Sequence, residues 1–326
     1  MPSSITHAYF GIDVFNKLPS KHQQKMDLNY LKMFSQGSDP FMFYNFFIGK
    51  KAQEINNIQE IIHTKKTNLF FKNNIKYIIN NNLTNNKEII TYLYGYLCHY
   101  YLDLYTHPYI YYKSGLFDKK DSSTYKYNTI HQKYEYLIDL YFISQREPIP
   151  YYKFKPHKFL FPIKTISPTL KNLINNTLYE TYKYQDLAKY YQKSLNHMYL
   201  FYKHINYDPY SYKLLAYSLI DKITKKNTVK LKELSFHNTL DNINPILNLN
   251  NQKWYLPWDK TKTSTASFID LYKRACDDTI NTIIKLNEMF DTNNIDNKLI
   301  DNLFPNISLV TGLNCNINVT MQYFEF

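Results

Sequence analysis

Glycine is almost missing from this chain, with 6 residues in 326. So small a supply disfavours turn-rich β architectures. Cysteine is scarce as well: Cys98, Cys276 and Cys315 are an odd number and form no C-x-x-C pair. That argues against a disulfide framework and fits a reducing compartment. Long hydrophobic runs are lacking too. No window reaches about 18 uninterrupted apolar residues, so no transmembrane helix is expected. The opening MPSSITHAYFGIDVF has neither a basic n-region nor a continuous apolar h-region, so no secretory signal is expected. These shortages together point to a soluble, cytoplasmic protein, with peripheral membrane contact left open. Acidic residues are the last shortage, 27 against 39 basic ones, for a net charge of +12. Such a surface attracts nucleic acid, acidic lipid headgroups or phosphate esters, and charge alone does not choose among them.

What remains is apolar and aromatic. Hydrophobic residues make up 44% of the chain, enough for a sizeable core, and the length allows one large domain or two. The 34 Tyr and 21 Phe sit beside abundant Asn, Lys and Ile. That mixture reads as coding bias, so a single Tyr or Asn says little. Helical periodicity runs from Ser3 or Ser4 to Lys17, then over 21–34, 51–62, 67–80, 87–106 and 125–144. A tight loop, SQGSDPF, lies at 35–41, and another loop is expected over 109–123. A Pro-rich connector follows Gln145. Helices resume over 168–182, 184–204, 209–224 and 264–290. An irregular stretch is expected from 226 to 263, and a short strand after Pro305. No internal repeat is present. The expectation is an all-α, multi-helix bundle, read as one domain over 1–326. Its metal-site core would lie in about 1–145, with a further helical region over about 165–326.

The chemistry concentrates between His99 and Glu135. CHYYLDLYTHP places His99 and Asp103 four apart, and His107 four further on. HQKYE repeats the spacing with His131 and Glu135. Residues at i and i+4 share a helix face, so each pair can offer two ligands to one ion. Zinc takes imidazole nitrogen and carboxylate oxygen in this way. A single histidine on an apolar helix is usually a hydrogen-bonded core residue. Two His-x-x-x-acid pairs with a third His between them, in segments rich in Leu, Ile and Tyr, favour metal, because a buried carboxylate is costly unless paired or metal-bound. Gly95, one turn before His99, suggests close approach of another helix. Asp139 extends the second ladder, either to orient a ligand or as an ordinary exposed acid.

Asp39 after its Gly-containing loop, His63, His99-x-x-x-Asp103, His107 and His131-x-x-x-Glu135 resemble the zinc-dependent phospholipase C family. That family shares its fold and metal cluster with zinc-dependent nucleases. The segments SSITHAYFGIDV and SQGSDPF resemble an intracellular bacterial branch, and the matching motifs span residues 1–140. The resemblance implies two to three zinc ions. By motif, the first would take His63, His99 and Asp103, and the second His107, His131 and Glu135. Asp103 would bridge to a third ion held with His7. In the secreted relatives the mature N-terminus completes that third site, so here it depends on Met1 or Pro2. Asp39 would be the acid that orients or deprotonates the attacking water. His107 lies closer to Asp103 than in the secreted relatives, so its placement should depend on a bend at Pro108. Choline-contacting residues do not carry over.

The implied activity is zinc-dependent hydrolysis of a phosphodiester in phospholipids. A single-strand-type nuclease and a zinc-stabilised binding protein without turnover are the alternatives. His237, and Trp254 or Trp258 as lipid contacts, are further candidates, with core packing the plainer role for the tryptophans.

Overall fold

The computed structural model describes residues 4–118, 121–162, 165–223, 230–236 and 244–325. The fold is all-α. In chain order the first helices are α1 (Ser4–Lys17), α2 (Ser20–Gln23), α3 (Leu28–Phe34), α4 (Lys50–Thr64), α5 (Thr67–Asn80), α6 (Lys87–Ser114) and α7 (Tyr125–Arg146). A 3-10 segment, Asp39–Phe47, links α3 to α4 and departs from helical geometry at Tyr44–Phe46. Then come α8 (Pro156–Leu160), α9 (Pro168–Tyr182), α10 (Leu187–Leu200), α11 (Tyr212–Ile223), α12 (Asn244–Leu247), α13 (Phe268–Thr292) and α14 (Asn297–Leu303). Among the described residues the only sheet is an antiparallel hairpin, Trp254–Leu256 with Asp259–Ser264.

The axis of the fold is α6. Every residue from Ile89 to Asp103 on it is buried, as expected of a central helix that is apolar on all sides. Helices α1, α3, α7 and α13 pack around it. Gly95 marks the closest approach. A Cβ there would stand 2.6 Å from the Phe34 backbone and Cβ, so α3 crosses where only glycine fits.

Several expectations need correcting. The loop expected over 109–123 begins only at Gly115, because α6 runs on through Pro108 to Ser114. An interior proline costs a helix about 3 kcal/mol. Burial on both sides outweighs it here: Tyr109 and Tyr112 pack against Trp254, and Ile110 is in the core. Thus His107 lies inside α6 and not beyond its end. The helix expected over 21–34 is two helices, broken at 24–27, where Asp27 caps α3 through the Asn29 and Tyr30 amides. The 226–263 region contains the hairpin, and the tail after Pro305 holds an isolated bridge, Ile307 with Asn314, in place of a strand. Trp254 is a core residue whose indole donates to the Ala266 carbonyl. His237 lies outside the described residues.

Candidate metal centre

The centre is built around one carboxylate. At 100° per residue, His99, Asp103 and His107 advance about 40° per step along one stripe of α6. Asp103 is fully buried at its middle. Its Oδ2 lies 3.3 Å from the Nε2 atoms of His63 and His99. Its Oδ1 lies 3.1 Å from His7 Nε2 and 3.7 Å from His107 Nε2. The two oxygens thus face two different groups of imidazoles.

Other elements deliver those imidazoles. His63 occupies the last turn of α4, and its Nδ1 meets the Gln59 carbonyl at 2.9 Å and Ser38 Oγ at 3.1 Å. Donation to the carbonyl leaves the Nε2 lone pair aimed inward, the usual arrangement of a ligating histidine. His107 is held alike, its Nδ1 2.8 Å from the Leu309 carbonyl. His7 comes from α1, with its ring centroid 4.7 Å from that of His99. Helix α1 is seated by Asp139 of α7. That carboxylate is buried and accepts from the Ile5 and Thr6 amides and the Thr6 hydroxyl. It is therefore not an exposed acid. It caps the first turn of α1, while Ser4 Oγ accepts from Tyr202; Ser3, the other expected start of the helix, lies outside the described residues.

The 35–41 loop touches the cluster with three consecutive residues. Gly37 has φ +54°, and a Cβ there would overlap the His99 ring at 2.3 Å, so glycine is required twice over. Ser38 reaches His63. Asp39 Oδ1 accepts from Gln59 Nε2 at 2.9 Å and lies 3.4 Å from His63 Nε2 and 3.9 Å from His99 Nε2. Sequence reasoning missed Gln59 and Ser38. Gln59 had a signal, since it stands one turn before His63 on the same face of α4.

The donor set fits a metal ion. Four ligands at zinc distances around a tetrahedron stand about 3.3–3.4 Å apart. Asp39 and Asp103 lie 3.3–3.4 Å from His63, Asp103 lies 3.3 Å from His99, and the two imidazole Nε2 atoms are 3.0 Å apart. Both Asp103 oxygens, both His7 ring nitrogens and His99 Nδ1 are buried without a hydrogen-bond partner. The contacts to Asp103 are close yet misaligned for donation, as when lone pairs converge on a point between them. Buried groups left so would cost about 1–3 kcal/mol each. Two triplets bring their donor atoms within 4.8 Å of one another, His7–His99–Asp103 and Asp39–His63–His99.

His131 and Glu135 form a second locus on α7. Their Nε2 and Oε1 are 2.8 Å apart, and Ser114 Oγ meets His131 Nδ1 at 2.9 Å. The Tyr111 ring lies 5.8 Å from that of His107 and 5.1 Å from that of His131. Among the described residues His107, His131 and Glu135 do not close into a triplet as tight as the other two. Met1 and Pro2, on which a third site is expected to depend, lie outside the described residues.

Burial and the buried carboxylates set the electrostatics together, and Asp103 and Asp39 raise His63 against the effect of burial. Burial pushes His99 down to about 4 and lowers His107 and His131. Neutral imidazole is the form that binds metal. Burial would raise Asp103, yet His107, His99 and His7 outweigh it and hold the carboxyl well below its usual range. Glu135 is pushed up to about 8 by burial.

A family model described as zinc dependent phospholipase C matches residues 6–245. No curated protein matches the chain. No solved structure matches it either.

Proposed function

The chain belongs to the zinc-dependent phospholipase C family, and on that premise we propose that it hydrolyses a phosphodiester of phospholipids, releasing diacylglycerol and a phosphorylated headgroup. The observation that carries this reading is the buried Asp103 carboxylate, with no hydrogen bond and imidazoles on both oxygens. On this reading His63, His99 and Asp103 hold one ion, His107, His131 and Glu135 a second, and Asp103 with His7 a third. Zinc in such a site lowers the pKa of bound water to about 7 and clamps phosphate oxygens.

The protein residues do the rest. Gln59 orients Asp39 by donating to Oδ1. Asp39 then orients the attacking water or takes its proton as general base. The backbone carbonyls of Gln59 and Leu309 hold His63 and His107 with Nε2 inward. Burial keeps competing water away from the donors.

The test is a substrate panel on zinc-loaded and chelated protein. Phospholipid in mixed micelles should release diacylglycerol, with activity lost on chelation and regained with zinc. Single-stranded DNA should be cleaved far more slowly. Rapid zinc-dependent DNA cleavage with the lipid intact would make the protein a nuclease. Full zinc loading with no hydrolysis of either would make it a binding protein.

A further inference from the structure

Helix α11 turns its apolar side outward. Tyr212, Leu215, Ala216, Leu219, Ile220 and Ile223 are all exposed, Tyr212 at 73% and Ile223 at 80%. Their spacing is i, i+3, i+4, i+7, i+8 and i+11, one continuous face. In a soluble helix that face normally meets the core. Here the inner face carries buried Asp221 and half-buried Leu214 and Tyr217. Tyr210, just before the helix, is 74% exposed and extends the stripe, its ring 5.9 Å from that of Tyr212.

The outward face is not the product of a loose end. Asp208 accepts from the Leu214 amide and the Ser235 hydroxyl, at 2.8 and 2.7 Å. Asp221 accepts from the Leu231 and Lys232 amides, at 2.8 and 3.0 Å. The Tyr217 hydroxyl donates to the Ile205 carbonyl. These bonds lock α11 onto the 3-10 turn Leu231–Leu234, which packs on α7, the helix of His131 and Glu135.

Charge selects the occupant. Asp208 and Asp221, the acids on and just before this helix, are buried and bonded inward, while Lys222 and Lys232 are exposed. The next acid, Glu233, is 3.7 Å from Lys232 and its side chain only 14% exposed. An aromatic–aliphatic stripe on a helix that also exposes Lys222 suits the headgroup boundary of an anionic bilayer.

We propose that α11 and Tyr210 form an interfacial anchor that lies on the surface of a membrane containing anionic phospholipids. The inference rests on the phospholipid reading for its purpose, and its test separates the two. Zinc-loaded protein is floated with vesicles of phosphatidylcholine alone and with about one third phosphatidylserine. In parallel, hydrolysis of a short-chain phospholipid below its micellar concentration reports the metal centre. The protein should float with the anionic vesicles. The double variant Leu215→Ser/Leu219→Ser should bind at least about tenfold more weakly, with soluble-substrate hydrolysis and helical content unchanged.

Wild type that stays unbound, or a double variant that floats as well as wild type, overturns the anchor even if hydrolysis is robust. Flotation without any hydrolysis keeps the anchor and sinks the catalytic reading. A wild type that is dimeric and does not float, with a monomeric double variant, assigns the stripe to a second copy and overturns the membrane.

Discussion

Asp39 is where residue-scale chemistry can be divided. Its Oδ1 is at ligand spacing from His63 Nε2, lies 3.9 Å from His99 Nε2 and is also bound to Gln59. Asp39→Asn keeps an oxygen to accept from Gln59 while removing the charge and the basicity. A positioned general base contributes about 10²–10⁴-fold. Turnover by Asp39→Asn should therefore fall by about that factor, with zinc content and unfolding midpoint close to wild type. Steady-state rates beside elemental analysis decide the matter. Near-normal turnover rejects the basic role, and loss of an ion makes Asp39 a ligand instead. Gln59 and Ser38 belong to the same argument. Ser38 meets His63, Gln59 meets both Asp39 and His63, and neither carries charge that a motif would reveal.

Helices position the chemistry through their ends as well as their faces. Helix α1 contributes only His7 to the centre, and its first turn is held by a carboxylate 133 residues further along the chain. A negative charge at a helix N-terminus satisfies open amides and favours the helix dipole. Removing it leaves buried donors without acceptors. Asp139→Ala should lose about 2–4 kcal/mol in urea unfolding and weaken retention of any ion that His7 holds. Asp139→Asn, which keeps one acceptor oxygen, should lose less. An Asp139→Ala protein with the wild-type midpoint would show that α1 holds its place through packing alone. Helix α6 teaches the same lesson at Pro108, where the packing of Tyr109, Ile110 and Tyr112 carries the helix past a residue that would end it in isolation.

For the molecule as a whole, the centre is a concentration of ionisable groups inside an apolar core. Seven candidate ligands, His7, His63, His99, Asp103, His107, His131 and Glu135, are buried, as is Asp39. An ion that binds only the folded chain stabilises it by mass action, about 4 kcal/mol at a thousandfold excess over Kd. In a chain of 326 residues, with an unfolding entropy of about 2.1 cal/mol/K per residue, each kcal/mol moves the midpoint by about 1.5 °C. Chelation should therefore lower the melting temperature by about 6 °C, and stoichiometric zinc should restore it. An unchanged melting curve after verified metal removal would show that the core tolerates the cluster without ions. Among the described residues no helix is long and apolar enough to cross a membrane.

Much of this is legible in the sequence. The i, i+4 spacing of His99, Asp103 and His107 places them on one face of any helix that forms, because helix geometry does not depend on context. Scarce glycine beside long 3.6-residue periodicity led to an all-α chain, and helices over 67–80 and 168–182 stand at the expected bounds. The close approach at Gly95 followed from glycine standing where alanine would serve better. Contacts between distant segments were not legible, since no local pattern encodes them. That α1, the 35–41 loop and α4 converge on Asp103, that Asp139 caps α1, and that α6 passes through Pro108 are outcomes of packing. In each case the burial of many apolar side chains overrode a local preference worth only a few kcal/mol.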